Sequence, residues 1–484
     1  MNLSKTKYIE ACQCLKYLWL DEFKTLEKEE INNNSVLENG KEVGELAKDL
    51  FGFHVDVLYD DNLEIMLKRT EDLIKVDNII VTEASFKYKN NFCSVDILKK
   101  NKNELEIYEV KSSTEIKDIY IDDIAYQYYI LSNLGYKVKK AGIVYINPFY
   151  ERHGDLNLKE LFKIENVLDK IINRQDELKN RLEKIDNLKE EPNIDLDNYC
   201  FKPYECPFFK YCSKHLPQNN IFNLKRMRNS TKIKFYKKGI YKYEDLLKEK
   251  IDFKIKQQID FELNEKKEYI NKEKIKEFLS TLSYPLYFLD FETYTQSIPR
   301  YDYVRPYMQI PFQYSLHYIE NNTLKHKEFL SEAGIDPRRK LAESLVIDIP
   351  KNVCVLAYNM SFEKSVIKNL ANLYPDLKDH LMNIYDNIKD LMIPFYNHDY
   401  YKKEMYGSYS IKYVLPALFE NDPSLDYHNL NMIHNGSEAM NSFSNLELLN
   451  KEEQEKVRKC LLEYCKLDTY AMVKIYEKLK DVIK

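Results

Sequence analysis

Several things are scarce or missing from these 484 residues. No apolar run is long enough to span a bilayer, and the opening MNLSKTKYIEACQC lacks the apolar core of a secretory signal, so a cytoplasmic chain with no membrane partner is expected. Ten glycines and one tryptophan are few, while Lys, Asn, Ile and Tyr dominate. AT-rich coding alone would produce that bias, so the 40 tyrosines are not read as functional in bulk. Nine cysteines in a chain of this length are no disulfide framework, and in the cytosol they would stay reduced. Internal repeats and low-complexity tails are absent. Excess positive charge is also missing. The net charge of −5 excludes a protein that coats nucleic acid by charge alone, but it leaves room for a nuclease, whose clustered acids lower the sum.

What is present is a globular chain, 44% hydrophobic, long enough for two or three domains. Residues 1–217 read as one unit. Helical patterns at 5–23 and 35–51 precede strand-like runs at 78–88, 92–99 and 105–111, then a helical run at 122–134 and a strand at 141–146. A charged helical stretch at 158–189 and the cysteine-rich CFKPYECPFFKYC close the unit. Residues 218–278 read as a basic helical connector. Its KRMRNSTKIKFYKK tract, at 225–238, holds seven basic residues and no acid, and reads first as a solvated helix face or linker, with a phosphate track as the alternative. Residues 279–484 alternate strands and helices, so the fold class expected is α/β.

The strongest local signal is YFLDFET, beginning at Tyr287. It reads as a buried strand that ends by presenting Asp290 and Glu292, which share a face because they lie two apart. Paired acids on an apolar strand repel unless a cation lies between them, and hard oxygen ligands suit Mg²⁺ or Mn²⁺. Downstream, VCVLAYNMSFEK turns from a strand into a helix carrying Glu363. EYCKLDTYAMV places Tyr464 and Asp468 on one helix face. Four acids can therefore converge on metal ions that activate water and stabilise a leaving oxygen, with Tyr464 orienting the water. Asp390 is a fallback ligand that also reads as a helix N-terminal acid. Arg300, Arg305 and Tyr307 are candidates for phosphate contact or base stacking, with ordinary loop structure the equal alternative.

A second constellation lies upstream. FCSVDILKK ends a strand with Asp96, and LEIYEVKSS puts Glu109 and Lys111 on one face of the next strand. Acids in this pattern hold Mg²⁺, and the lysine helps deprotonate or position the attacking water. VGELAK offers Glu45 from a helix upstream, and DDIAYQYYIL offers Gln127 from the helix that follows. Cys200, Cys206 and Cys212 are evenly spaced, with Cys14 or Cys12 available as a fourth thiolate from the other end of the unit. Four thiolates suit a [4Fe–4S] cluster or Zn²⁺. Cys93, Cys354, Cys460 and Cys465 read as core or bystander residues.

These motifs carry two resemblances. DFET, Asn–x–x–x–Glu and Tyr–x–x–x–Asp, within 284–484, resemble the three motifs of DnaQ-like (DEDD) 3′–5′ exonucleases with an RNase H-like fold, in the subtype that uses Tyr in the last motif. That family usually has Asp where this chain has Glu363. Asp96 with Glu–x–Lys, within 3–217, is the PD-(D/E)xK arrangement. With Gln127 and one early plus three late cysteines, it resembles iron–sulfur nucleases of the RecB/AddB type, in which the cluster staples the two ends of the domain. The gap from Cys200 to Cys206 is longer than usual there. Those proteins often carry His where Glu45 stands, and Tyr where this chain has Leu131. The tandem order, with LDFET, YDYVRPYMQIPFQYSLH, GSYSIKYVLPAL and YCKLDTYAMV, is similar to a bacterial family known only as a domain of unknown function. The resemblances imply a restriction-endonuclease-like domain with an Fe–S staple at 1–217, a helical connector at 218–278 and an RNase H-like mixed-sheet domain at 279–484. They imply a Mg²⁺- or Mn²⁺-dependent nuclease acting on DNA, single strands or ends, with RNA also possible as substrate. The alternative is a nucleic-acid-binding platform with one or both sites degenerate.

Overall fold

The computed structural model describes residues 2–30, 34–420 and 422–484. Among the described residues the fold is mixed α/β, with three sheets. No helix among the described residues is long and apolar enough to cross a membrane. The chain divides into two compact units, Met1–Leu216 with Gln296–Tyr307, and Pro217–Thr295 with Met308–Lys484. The basic stretch read as a connector thus belongs to the second unit, while a short segment following the DFET strand belongs to the first.

The first unit is built on a six-stranded sheet in sequence order: β1 Val55–Asp56, β2 Ile79–Tyr88, β3 Asn91–Asn101, β4 Glu104–Lys111, β5 Lys137–Ile146 and β6 Phe162–Asn166. Strands β2, β3 and β4 form an antiparallel meander, and β5 pairs parallel to β4. Among the described residues, six α-helices precede or link these strands: α1 Lys5–Gln13, α2 Leu15–Phe23, α3 Asn34–Lys48, α4 Leu63–Leu73, α5 Asp118–Asn133 and α6 Leu158–Leu161. The parallel β4–β5 pair needs a crossover, and α5 supplies it. Its Ile124, Ile130 and Leu131 bury against Ile107 and Ile143 of the sheet. The opposite face buries Ile97, Val144 and Ile146 with Ile298 of the returning segment.

Two local features depart from the sequence pattern. The helical run at 5–23 breaks at Cys14, whose extended backbone (φ −165°) ends α1 and begins α2. The charged run at 158–189 is not one helix. It contains β6, whose hydrogen bonds to β5 outweigh the helical spacing of its neighbours.

The second unit is centred on a five-stranded sheet in the order β10-β9-β8-β11-β12. These strands are β8 Leu286–Tyr294, β9 Ile310–Glu320, β10 Thr323–Leu330, β11 Cys354–Ala357 and β12 Ile388–Asp390. A separate two-stranded ribbon pairs β7 Glu268–Ile270 with β13 Tyr400–Lys402. Strand β8 lies at the centre, antiparallel to β9 and parallel to β11, which explains its unbroken apolar run. Leu286 and Phe288 face one core, which includes Ala471, Met472 and Ile475 of the long helix Lys451–Val482. Tyr287, Leu289 and Phe291 face the other. That helix starts at a capping box in which Asn450 and Glu453 satisfy each other's backbone groups. Residues 218–278 fold into short helices around a small core of Ile221, Leu224, Tyr243, Leu246 and Ile259.

Candidate functional sites

In the second unit, β8 and the long helix bring four acids together. Asp290 and Glu292 lie on the face of β8 that meets the helix, and Asp468 projects from the helix. Tyr427 Oη donates to Asp468 Oδ1 at 2.6 Å, and Tyr464 also hydrogen-bonds Asp468. Glu363 enters from the helix Met360–Leu373, which follows β11 through Asn359 in the left-handed region (φ +74°). Burial and then the charges of Asp468, Glu292 and Glu363 hold the Asp290 carboxyl well above its usual range. Burial likewise raises Glu363 to about 8 and Asp468 to about 6. Glu292 is raised by burial and Asp468, against the opposing charge of Lys412.

This donor set fits a hard divalent cation. Asp290 bears the charges of the other three acids without a counter-ion, and Glu363 Oε2 is buried with no hydrogen-bond partner among the described residues. Asp290, Glu292 and Cys465 each offer a ligand atom, all within 4.8 Å of one another. Cys465 Sγ lies 3.9 Å from Asp290 Oδ2, so a residue that the sequence marks as a bystander touches the site.

Asp390 is placed differently. Its carboxylate accepts from the backbone N–H groups of Asn359 at 3.0 Å, Met360 at 3.2 Å and Met392 at 2.9 Å. It caps the turn that carries Glu363, as expected of a helix N-terminal acid. Sequence reasoning missed Tyr427 and Lys412. Both line a cleft of about 1020 Å³ with His434, Asn435 and Glu438. Lys412 lies in GSYSIKYVLPAL, but no spacing rule ties it or Tyr427 to the acids.

In the first unit, the meander places Asp96 on β3 beside Glu109 and Lys111 on β4, and α5 closes over them. Lys111 Nζ donates to Glu109 Oε1 at 2.6 Å and Asp123 Oδ2 at 2.7 Å. Gln127 Nε2 donates to Glu109 Oε2 at 2.6 Å and Asp123 Oδ1 at 3.3 Å. Asp96 Oδ2 accepts from the Val110 N–H at 2.7 Å. Two members were absent from the sequence reading. Asp123 stands one turn before Gln127. Lys5 is the first helical residue of α1, set there by the Ser4 cap, and its ammonium reaches Glu109, Asp96 and Asp123 at 2.9, 3.6 and 3.8 Å.

The charges explain the proton affinities. Burial alone would raise Glu109, but Lys111 and Lys5 outweigh it and hold the carboxyl well below its usual range. Burial and the Glu109 charge push Asp96 up to about 7. Burial would lower Lys111, yet Asp123 and Glu109 keep it above the ordinary lysine value. Asp96, Glu109 and Asp123 supply hard oxygen donors of the kind Mg²⁺ or Mn²⁺ takes, though they are not among the groups whose ligand atoms all lie within 4.8 Å of one another. The Lys5 ammonium lies among the three carboxylates.

Glu45 is not brought into this cluster. Its side chain is 74% exposed and pairs with Lys48 at 2.8 Å, while Lys48 also meets Asp56 at 3.1 Å. A helix turn pairs Glu45 with Lys48, and that local partner holds it outside. The Arg300–Tyr307 group is structural where its contacts are defined. Arg305 Nε bonds Glu151 Oε2 at 2.9 Å, and the Tyr307 hydroxyl donates to the Ser112 carbonyl.

Cys14, Cys200, Cys206 and Cys212 line one small enclosed void with Tyr17, Leu20, Tyr199 and Phe209. Burial raises Cys200 to about 11 and Cys206 to about 12. Cys12 points elsewhere, its Sγ 3.1 Å from Arg181 Nη1. The loop is tied to α1 because Gln13 Nε2 donates to the carbonyls of Tyr199 at 2.8 Å and Tyr204 at 2.9 Å.

Residues 287–410 match a family model described as a domain of unknown function (DUF2779). The chain is also similar to Uncharacterized protein MG366 of Mycoplasma genitalium, with 27% identity over 230 residues, 44% of this chain and 34% of that protein. The match thus spans about a third of that relative's length. Both similarities point to an uncharacterised family, and neither names a reaction.

Proposed function

We propose that this chain is a metal-dependent nuclease with two sites, a DEDD-type exonuclease site in the second unit and a RecB-like PD-(D/E)xK site in the first. The observation that carries this reading is the convergence of Asp290, Glu292, Glu363 and Asp468 beside Tyr464, with one Glu363 oxygen buried and unpartnered. Asp290, Glu292, Glu363 and Asp468 would hold Mg²⁺ or Mn²⁺ in the second unit, and Asp96, Glu109 and Asp123 in the first. Bound there, the ion would polarise the phosphodiester and lower the pKa of water. The protein's own groups do the rest. Burial and the acids around it raise the Tyr464 hydroxyl, so it stays protonated and orients water by hydrogen bonding. Lys111 stays cationic, so it stabilises developing negative charge instead of acting as a base. Gln127 and Lys111 together fix the rotamer of Glu109.

DNA is the proposed substrate, as single strands or ends. The void lined by four cysteines supports a cofactor there, with Cys14 the early ligand. Four thiolates suit a [4Fe–4S] cluster or Zn²⁺, and the [4Fe–4S] cluster is the one proposed.

A second reading has its own observation. The Lys5 ammonium lies among the three carboxylates of the first unit, which suits a platform that binds nucleic acid without cutting it. One experiment separates the two. Anaerobically prepared protein is incubated with end-labelled single- and double-stranded DNA and RNA in Mg²⁺ or Mn²⁺, as wild type, Lys111→Ala, Asp290→Asn and the double variant. Loss of cleavage in the double variant is expected. If the wild type degrades nothing, the enzyme reading falls. If Asp290→Asn cuts like the wild type, the second site is not catalytic. If Lys111→Ala does so, the first unit is a platform.

A further inference from the structure

Beside the Glu109–Lys111 cluster stands an aromatic and cationic rim that the proposed chemistry does not use. Lys111 Nζ lies 5.2 Å from the ring centroid of Tyr120, on the first turn of α5. Tyr204 is hydrogen-bonded to Tyr120 and lies within electrostatic reach of Lys111 and Asp123. Lys117 Nζ sits over both rings, 6.0 Å from Tyr120 and 5.8 Å from Tyr204. Tyr204 is nevertheless 51% exposed, which is unusual for an aromatic ring held this close to a buried charge cluster. Its loop is not free to move away. It lies between Cys200 and Cys206, which line the cysteine void, and its carbonyl is held by Gln13 at the end of α1.

We propose that Tyr204 and Tyr120, with Lys117, form a stacking platform that takes an unpaired base of a single strand and delivers the adjoining phosphate to Lys111. Exposed rings stack bases regardless of sequence, and a cation over the ring plane strengthens the contact and neutralises phosphate. A paired base cannot reach such a ring without leaving its stack, so the platform selects single strands or frayed ends. The inference rests on the nuclease reading of the first unit. It adds that the loop holding two clustered cysteines also holds the substrate.

The test uses full-length, anaerobically prepared protein with Asp290→Asn to silence the second site. A single-stranded oligodeoxynucleotide carrying 5-iodouracil is photo-crosslinked without added divalent cation, and the modified peptide is mapped by mass spectrometry. Affinity for fluorescein-labelled single-stranded and blunt duplex DNA is measured by anisotropy. A crosslink to Tyr204 or Tyr120 is expected. Tyr204→Ala should weaken single-strand binding about tenfold, within the range for losing one base stack. Tyr204→Phe should keep the affinity, and duplex binding should be unchanged in both. Crosslinks confined to other peptides, or single-strand affinity unchanged in Tyr204→Ala, would overturn the platform while Lys111-dependent cleavage leaves the nuclease reading intact. Absence of both binding and cleavage in the protein with the second site silenced would remove both for this unit.

Discussion

The Lys5 ammonium donates to both carboxylate oxygens of Glu109, at 2.9 and 3.1 Å, across 104 residues of sequence. It is a tethered cation inside a cluster of three acids. Lys5→Met should remove it while keeping the length of the side chain. The cation-free protein should lose about 2 kcal/mol of stability, somewhat under the roughly 3–5 kcal/mol for breaking a fully buried pair, because Lys5 is partly exposed. Calorimetry with Mn²⁺ should show the opposite sign for the metal, with tighter binding once the competing ammonium is gone. Unchanged Mn²⁺ affinity would mean that Lys5 and the metal do not share a position.

Much of the first unit was legible in sequence because its signals are local. Strands β2, β3 and β4 follow alternating or apolar runs, and Glu109 with Lys111 share a face by two-residue spacing. Gln127 follows from helical position on α5. Lys5 was not legible, since nothing in SKTKYIE distinguishes a lysine aimed at a distant strand from one in solvent. Glu45 failed for the converse reason. Its helix exists, but a lysine one turn away captures the carboxylate. In the second unit the acids were legible from their order along the chain. Tyr427 was not, because only tertiary packing brings an irregular segment against Asp468.

The raised carboxyls of the second unit give stability a pH dependence of definite sign. Glu363 at about 8 and Asp468 at about 6 hold protons in the fold that the unfolded chain has released. At these groups the native state therefore binds more protons than the unfolded state from near pH 4.5 to about 8, and their contribution to stability falls as pH rises through that window. Asp96, at about 7, adds a term of the same sign in the first unit. Buried His317 and His398, lowered to about 3 and 4, and half-buried His326, lowered to about 4, oppose this trend below about pH 6.5. Thermal denaturation in chelator should therefore show Tm falling from pH 6.5 to pH 8, and falling less in Glu363→Gln. Mn²⁺ should recover the loss at pH 8, and recover less of it in Asp290→Asn. A Tm independent of both pH and Mn²⁺ would contradict clustered, solvent-starved acids.

Tyr464 separates positioning from ligation. Its hydroxyl hydrogen-bonds Asp468 and stays protonated at any working pH. Tyr464→Phe should lower kcat of the second site by about 10²-fold, the lower range for a lost acid–base or water-orienting group, with little change in KM. Mn²⁺ binding should persist, because no ligand is removed. A variant that loses metal and rate together would make the tyrosine a scaffold for the carboxylates.

The cysteine void makes a prediction that distinguishes neighbours two residues apart. Cys14 lines the void with Cys200, Cys206 and Cys212, whereas Cys12 bonds Arg181. Anaerobic preparations should therefore be brown, with broad visible absorption from iron–thiolate charge transfer. Cys14→Ala should bleach the protein, and Cys12→Ala should leave it coloured. Because Cys14 also joins α1 to α2, its loss should reach the Asp96–Glu109–Asp123 cluster through α1, which carries Lys5 at its other end. Loss of cluster should thus lower the Tm and weaken Mn²⁺ binding at the first site together. A colourless wild type that contains stoichiometric zinc would make the four cysteines a zinc site instead. The coupling through α1 would then be tested by removing zinc with a chelator that spares the acid site.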